Sequence, residues 1–276
     1  MANPSILGAG TTAFVTGAST GLGRAFTEHL LAEGVRVWGT ARETGRLEEL
    51  RRHSGFTAVV LDLHDRAQAT EAFAEAARQA GGFDLVINNA GYGVFGAVTS
   101  TEPELWSRQI DAMLQTTLAL ARLALGEMDR RGHGCLVNVS SLAAEFPIPY
   151  MSGYNVCKAG LSAWSESVLY ELTNPDIIVI DFRPGDFRTP FNNAVQHASD
   201  STDLRARQVW QRLEETLAAA PLPAMAADDL CRAVRRHSSG VVRTGSFFQA
   251  RLSPLFARLI PNSWRRAAQA GYFKLS

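Results

Sequence analysis

Three glycines within seven residues, set between a strand pattern and a helix pattern, constrain this chain most. Thr12 to Thr16 (TAFVT) is a short apolar run that stops at TGASTGLG. The sequence GRAFTEHLLAEG follows, with Phe26, Leu30 and Leu31 on one side and Gly34 as a stop. Strand, glycine turn and helix in this order give a glycine motif structural meaning. Gly17, Gly21 and Gly23 let the backbone approach a pyrophosphate at a helix N-terminus, where free N–H groups and the dipole favour an anion. Ser19, Thr20 and Leu22 lie between them and count as cofactor contacts with them. A tight strand-to-helix turn is the plain alternative, but it does not need three glycines.

The alternation continues. Val35 to Thr40 reads as a second strand ending in Ala41-Arg42. An acidic residue near this strand end binds a ribose 2′-hydroxyl, whereas an Arg accommodates a 2′-phosphate. Ala41 and Arg42 therefore favour NADP over NAD, with a solvated surface Arg as the alternative. Thr57 to Leu61 is a third strand; Asp62 after it either accepts from an adenine amino group or starts the helix of residues 67–80. Asp84 to Ile87 is a fourth strand and runs into Asn88, Asn89, Ala90 and Gly91. The glycine lets the chain pass close to a cofactor ribose, and the Asn side chains can tie this strand to its neighbours. A long helical pattern spans Glu102 to Met128, with Pro103 in its first turn. Cys135 to Val139 is a fifth strand leading to Ser140-Ser141, and Ile177 to Phe182 a sixth leading to RPGDFRTP. Such alternation predicts a parallel sheet with helices on both faces and ligands at the carboxyl ends of the strands.

The chemistry points to the helix pattern Gly153 to Leu172. Tyr154 and Lys158 stand one turn apart on one face. A free tyrosine, with a pKa of about 10, is a poor base, and a nearby ammonium favours its phenolate. Ser141, at a strand end, can fix a substrate oxygen. Three such groups can move a proton on or off an alcohol or carbonyl oxygen. Tyr-x-x-x-Lys alone is also an ordinary exposed helix pair; its weight comes from the upstream half.

Composition excludes other classes. With 276 residues, 46% hydrophobic, the chain fits one large α/β domain or two small ones, and residues 1–276 are read as one. Lys plus Arg equals Asp plus Glu at 27 each, so net charge suggests no nucleic-acid partner. Cys135, Cys157 and Cys231 form no disulfide or zinc spacing, and the histidines show no metal spacing, so no metal is expected. Cys157 is read as a small packing residue rather than a reactive thiol. No secretory leader or membrane span is read, and the expected compartment is the cytoplasm.

Together these motifs resemble the short-chain dehydrogenase/reductase family over about residues 10–190. TGASTGLG matches its T-G-x-x-x-G-x-G motif and Asn88 to Gly91 its N-N-A-G. Tyr154 and Lys158 match Y-x-x-x-K, with Ser141 at the usual distance before them, and Pro184-Gly185 through Thr189 matches P-G-x-x-x-T. The resemblance implies a Rossmann-type, doubly wound parallel sheet of seven strands, a nicotinamide cofactor and alcohol–carbonyl interconversion. It implies Tyr154 as general acid and base, Lys158 as holder of the nicotinamide ribose that lowers the Tyr154 pKa, and Ser141 on the substrate oxygen. It also implies contacts of Phe187 backbone and Thr189 hydroxyl to the nicotinamide amide, of Asp62 to adenine, and a homodimer or homotetramer. One position departs: Met113 stands where the family usually carries an Asn that holds a relay water behind the Lys. A thioether is a weak acceptor and no donor, so the relay is weakened unless Gln115 takes it over.

Beyond Pro190 the sequence is less diagnostic. Residues 190–225 are expected to form a substrate lid, with a helical stretch around Arg205 to Leu217; Ala226 to His237 is another helix and Val241 to Phe248 the last strand. The extension 249–276 interleaves apolar and basic residues, which fits packing on the domain, subunit contact or a peripheral membrane contact. It resembles ends of relatives acting on lipid-like, retinoid or steroid substrates. The reading is an NADP(H)-dependent oxidoreductase of a hydrophobic carbonyl or alcohol. A non-catalytic NADP(H)-binding regulator and a tailoring reductase of a specialised biosynthetic pathway are the alternatives.

Overall fold

The computed structural model describes residues 7–198, 203–252, 254–255 and 260–275. Seven parallel strands form the main sheet in the order β3-β2-β1-β4-β6-β7-β9. They are β1 (Thr12–Val15), β2 (Arg36–Ala41), β3 (Phe56–Val60), β4 (Leu85–Asn88), β6 (Gly134–Val139), β7 (Ile177–Pro184) and β9 (Gly240–Thr244). The order reverses between β1 and β4, and such a switch point opens a crevice at the carboxyl ends.

The sheet is buried on both faces, so its strands read as continuous apolar runs. Their side chains alternate between two cores. Ala13, Val15, Leu85, Ile87, Cys135 and Val137 join one core with Phe26 of α1 (Gly21–Ala32), Leu50 of α2 (Glu48–Arg51) and Leu230 of α8 (Pro223–Arg235). Phe14, Val86 and Leu136 join the other, with Phe73 of α3 (Arg66–Ala80) and Leu120 and Met128 of α5 (Thr117–Arg131). The strand predicted from 241 to 248 ends at Thr244, where Gly245 at φ +141° turns the chain.

Two local readings change. The long helix predicted from 102 to 128 is α4 (Pro103–Ile110) and α5, joined by a π-helical turn over Asp111–Thr116 that carries Met113. Asp62 does not start the following helix; Asp65 caps α3, accepting from Gln68 N at 3.0 Å.

A short parallel pair, β5 (Gly93–Phe95) and β8 (Val195–His197), stands outside the main sheet. It underlies a third apolar cluster that holds α7 (Leu204–Ala218) over the cleft. The extension contains α9 (Asn262–Tyr272), which packs on α7. Arg212 Nε donates to Tyr272 O at 3.2 Å, and its guanidinium lies 4.8 Å over the Tyr272 ring. Phe273 is buried with Met151, Val209 and Leu213. Of the apolar and basic residues of the extension, Phe256, Arg258 and Leu259 lie outside the described residues. Among the described residues no helix is long and apolar enough to cross a membrane.

Candidate active site

A cleft of about 790 Å³ runs along the carboxyl ends of the strands. Gly17, Ser19, Thr20, Gly21 and Leu22 line one end. Gly17 and Gly21 take φ of +70° and +57°, which glycine alone adopts without strain. Gly23 does not line the cleft. It lies beneath the turn, where a Cβ would stand 2.2 Å from Gly17 O. Thr20 makes no side-chain cap on α1, and the first turn of α1 carries no acidic side chain. Backbone donors of a 12-residue helix are thus left for an anion. These residues fit the pyrophosphate of a dinucleotide.

Arg42 lines the same end at the tip of β2, with Glu43 and Arg46 beside it. Asp62 lines it too, fixed by His64, whose backbone N and ring Nδ1 each lie 3.0 Å from Asp62 Oδ1. His64 Nε2 is 3.2 Å from Tyr92 OH. Burial opposes ionisation of Asp62, but the His64 hydrogen bonds and nearby charges outweigh it and hold the carboxyl below its usual range.

Asn89, Ala90 and Gly91 form the middle of the floor. The amide of Asn89 ties the strand end to the glycine turn, donating to Thr16 O at 2.9 Å. Thr16 Oγ1 accepts from Asn89 N and Ala90 N at 2.8 and 3.0 Å. Asn88 donates to Asn138 at 3.0 Å, linking β4 to β6.

Ser141, Tyr154 and Lys158 converge on the centre of the cleft. Ser141 follows β6; the other two come from α6 (Ser152–Glu171). Lys158 Nζ donates to Val139 O at 2.7 Å and lies 5.7 Å from the Tyr154 ring centroid. Burial pulls the Lys158 ammonium down to about 8. Burial also pushes the Tyr154 phenol up to about 12; the Ser141 hydroxyl acts against this, and the Asp186 carboxylate adds to it. Burial is the largest influence on the Tyr154 phenol and acts against the lowering that the resemblance implies. Cys157 faces away, fully buried, its thiol pushed up to about 11 by burial, as a packing residue would be.

Met113 lines the cleft as well, its sulfur accepting from Tyr92 N at 3.4 Å and Gln109 Nε2 at 3.7 Å. Gln115 does not replace the missing Asn. Its amide is engaged on the surface, donating to Asp111 at 2.7 Å and accepting from Arg66 at 2.7 Å.

Pro184, Gly185, Phe187 and Thr189 line the cleft from the segment after β7. Asp186, in the same segment, was not singled out in the sequence. It accepts from Gln249 of the extension, and burial raises its pKa. The far end is apolar, with Phe146, Ile148, Phe191, Trp210 and Leu217, and α9 closes it with Arg265, Ala268, Gln269 and Tyr272. The interleaved apolar and basic residues of the extension were the sequence signal for this wall.

Behind the centre lies a buried ionic network. Arg183 of β7 pairs with Asp181 and Glu145; Ser162 Oγ donates to Asp181 at 2.7 Å, and Arg243 Nε to Glu145 at 2.7 Å. Among the described residues no cluster could hold a metal ion.

Residues 11–200 match the short chain dehydrogenase family. A Haemophilus influenzae relative, assigned by name to the NADP-dependent dehydrogenases, is 30% identical over 74% of this chain and 81% of its own. A 3beta-hydroxysteroid dehydrogenase of Eggerthella lenta is 32% identical over 74% of this chain and 79% of its own. The crystal structure of a short-chain dehydrogenase from Streptomyces avermitilis superposes with a TM-score of 0.78 at 27% identity, covering 98% of this chain and 99% of that one.

Proposed function

The chain belongs to the short-chain dehydrogenase family, oxidoreductases acting on CH–OH groups with nicotinamide cofactors, and from that membership we propose an NADP(H)-dependent interconversion of a hydrophobic carbonyl compound and its alcohol. A nicotinamide cofactor bound in the cleft supplies or takes up the hydride. The glycine turn and the first turn of α1 hold its pyrophosphate, and Arg42 with Arg46 receives a 2′-phosphate. Asp62 faces the adenine, and Asn89, Ala90 and Gly91 form the floor under the ribose. Pro184, Gly185, Phe187 backbone and Thr189 hydroxyl hold the nicotinamide amide, and Lys158 the nicotinamide ribose. Ser141 orients the substrate oxygen. Tyr154 gives that oxygen a proton in reduction and removes it in oxidation, a role typically worth about a hundred- to ten-thousand-fold in rate.

The observation that carries this reading is the convergence of Ser141, Tyr154 and Lys158 in the cleft that also holds the uncapped glycine turn. A purely cofactor-binding regulator has no need of all three. NADP is supported by the two arginines at the β2 tip and by the name of the Haemophilus relative. A hydrophobic substrate is supported by the apolar far end and by the steroid dehydrogenase among the relatives. Assembly as a homodimer or homotetramer through α4, α5 and α6 in the cytoplasm belongs to the same reading; Val156 and Tyr170 of α6 are exposed. Phe247, Phe248 and Trp264 are also exposed, Phe248 on the cleft wall, which favours a peripheral membrane contact as a second property of the tail.

The test is oxidation of NADPH against ketones and aldehydes from small to steroid-sized, with Tyr154→Phe in parallel. Turnover is expected from the wild type and loss of about a hundredfold or more in the variant. Equal rates in both would remove Tyr154 from the chemistry.

A further inference from the structure

The apolar end of the cleft contains one feature that a purely apolar substrate does not explain. Arg265, Ala268, Gln269 and Tyr272 line it from α9. Their spacings of three, four and seven put them on one helix face. The other polar members of that face are engaged: Gln269 donates to Pro147 O, and Tyr272 OH donates to Thr216 Oγ1 at 3.3 Å. Phe273, one turn on, anchors the helix in the third apolar cluster. Arg265 is half-buried on this anchored face and has no ion pair or side-chain hydrogen bond among the described residues.

A half-buried guanidinium beside apolar side chains is strengthened as a partner for an anion that a ligand brings to it. The surroundings on α9 sharpen this. Its first turn has no acidic side chain, Arg266 is adjacent, and a helix N-terminus is itself partly positive. The opposite charge lies elsewhere in the cleft: Asp186 sits close enough to Tyr154 to oppose its ionisation. At the α9 end, by contrast, an anionic group meets the Arg265 guanidinium and no acidic side chain from the first turn of that helix.

We propose that the substrate is a hydrophobic ketone or alcohol carrying a carboxylate remote from its reacting carbon, and that Arg265 receives that carboxylate as a two-pronged donor. The assignment rests on the functional reading above for the reacting end only. The carbonyl lies at Tyr154, the apolar body runs along Phe191 and Trp210, and the carboxylate meets the guanidinium, whose fork matches its two oxygens. Arg265 thus sets specificity and takes no part in proton or hydride transfer.

Calorimetric titration of the full chain with decanoate and with decanamide tests the subsite without requiring turnover. The expected result is decanoate bound about tenfold or more tightly than the amide, the scale of one charge-assisted bond, with the difference shrinking as salt rises. Arg265→Ala is expected to abolish the difference. Arg265→Lys is expected to retain part of it, which separates loss of charge from damage to α9. Oxo-decanoates compared with their methyl esters are expected to show the same preference in KM, with kcat nearly equal. Equal affinities in the wild type, no measurable binding of either ligand, or a preference that survives Arg265→Ala would overturn the proposal. Preference for decanoate without turnover of any ketone would leave the anion subsite standing and sink the reductase reading instead.

Discussion

Arg42 and Arg46 stand where the second strand meets the cleft, and their positions make a prediction about the cofactor alone. A 2′-phosphate adds a charge that NADH lacks, so Arg42→Ala is expected to weaken NADPH binding by about tenfold or more while changing NADH binding little. Fluorescence titration of both cofactors checks this; equal losses would place Arg42 outside the phosphate site. At the centre, the opposed shifts of Tyr154 and Lys158 come mainly from burial. A buried phenol that keeps its proton is suited to donate it in reduction. Met113 has its sulfur engaged by Tyr92 N and Gln109, so this side chain offers no donor to a relay water.

At the scale of elements, α9 and α7 act as one cover. Phe273 is buried among residues of α7 and of the loop before α6. Phe273→Ala is expected to cost about 3 kcal/mol where the cover packs. KM for bulky ketones should then rise several-fold while NADPH affinity stays near wild type, because the glycine turn lies at the other end of the cleft. Steady-state kinetics with a small and a steroid-sized ketone separate these outcomes; an equal rise for both would mean that the cover does not shape the pocket. The π-helical turn over Asp111–Thr116 is a second element-level feature. It widens the helix where Met113 enters the cleft, and wide turns of this kind recur at functional sites.

For the whole molecule, the buried network of Arg183, Asp181, Glu145 and Arg243 joins the last two strands to the segment after β6. Burial works against the Glu145 charge, but Arg243 and Arg183 outweigh it and hold its pKa below the ordinary 4.5. Stability from this group is therefore fully present above that pH and is lost as pH falls through the depressed value. Asp84, bonded to Thr12 and Arg131, is held low in the same way against its own burial. Urea unfolding midpoints are expected to hold steady from neutral pH to about 5 and then fall. Glu145→Gln should be less stable at neutral pH by about 2 kcal/mol and show a shallower acid decline. An unchanged acid slope in that variant would show that Glu145 carries none of the linkage.

The sheet, its alternation with helices and the glycine turn at the cleft were legible in the sequence because each is written locally. The apolar run to Thr16, the glycine spacing and the one-turn separation of Tyr154 and Lys158 are short-range patterns that fix short-range geometry. Gly23 was found by the same pattern, yet its place beneath the turn depends on how closely Gly17 packs over it. What only the tertiary structure decided lies in contacts between distant segments. The partners of Asp181 and Arg183, the surface engagement of Gln115 and the pairing of β5 with β8 leave no periodic trace in one segment. The extension is the clearest case. Its alternating apolar and basic residues fit a membrane surface, a partner subunit or its own domain equally well, because a helix face records only that it is buried. The fold brought that face onto α7, and with it an arginine without an ion pair among the described residues into the apolar end of the cleft.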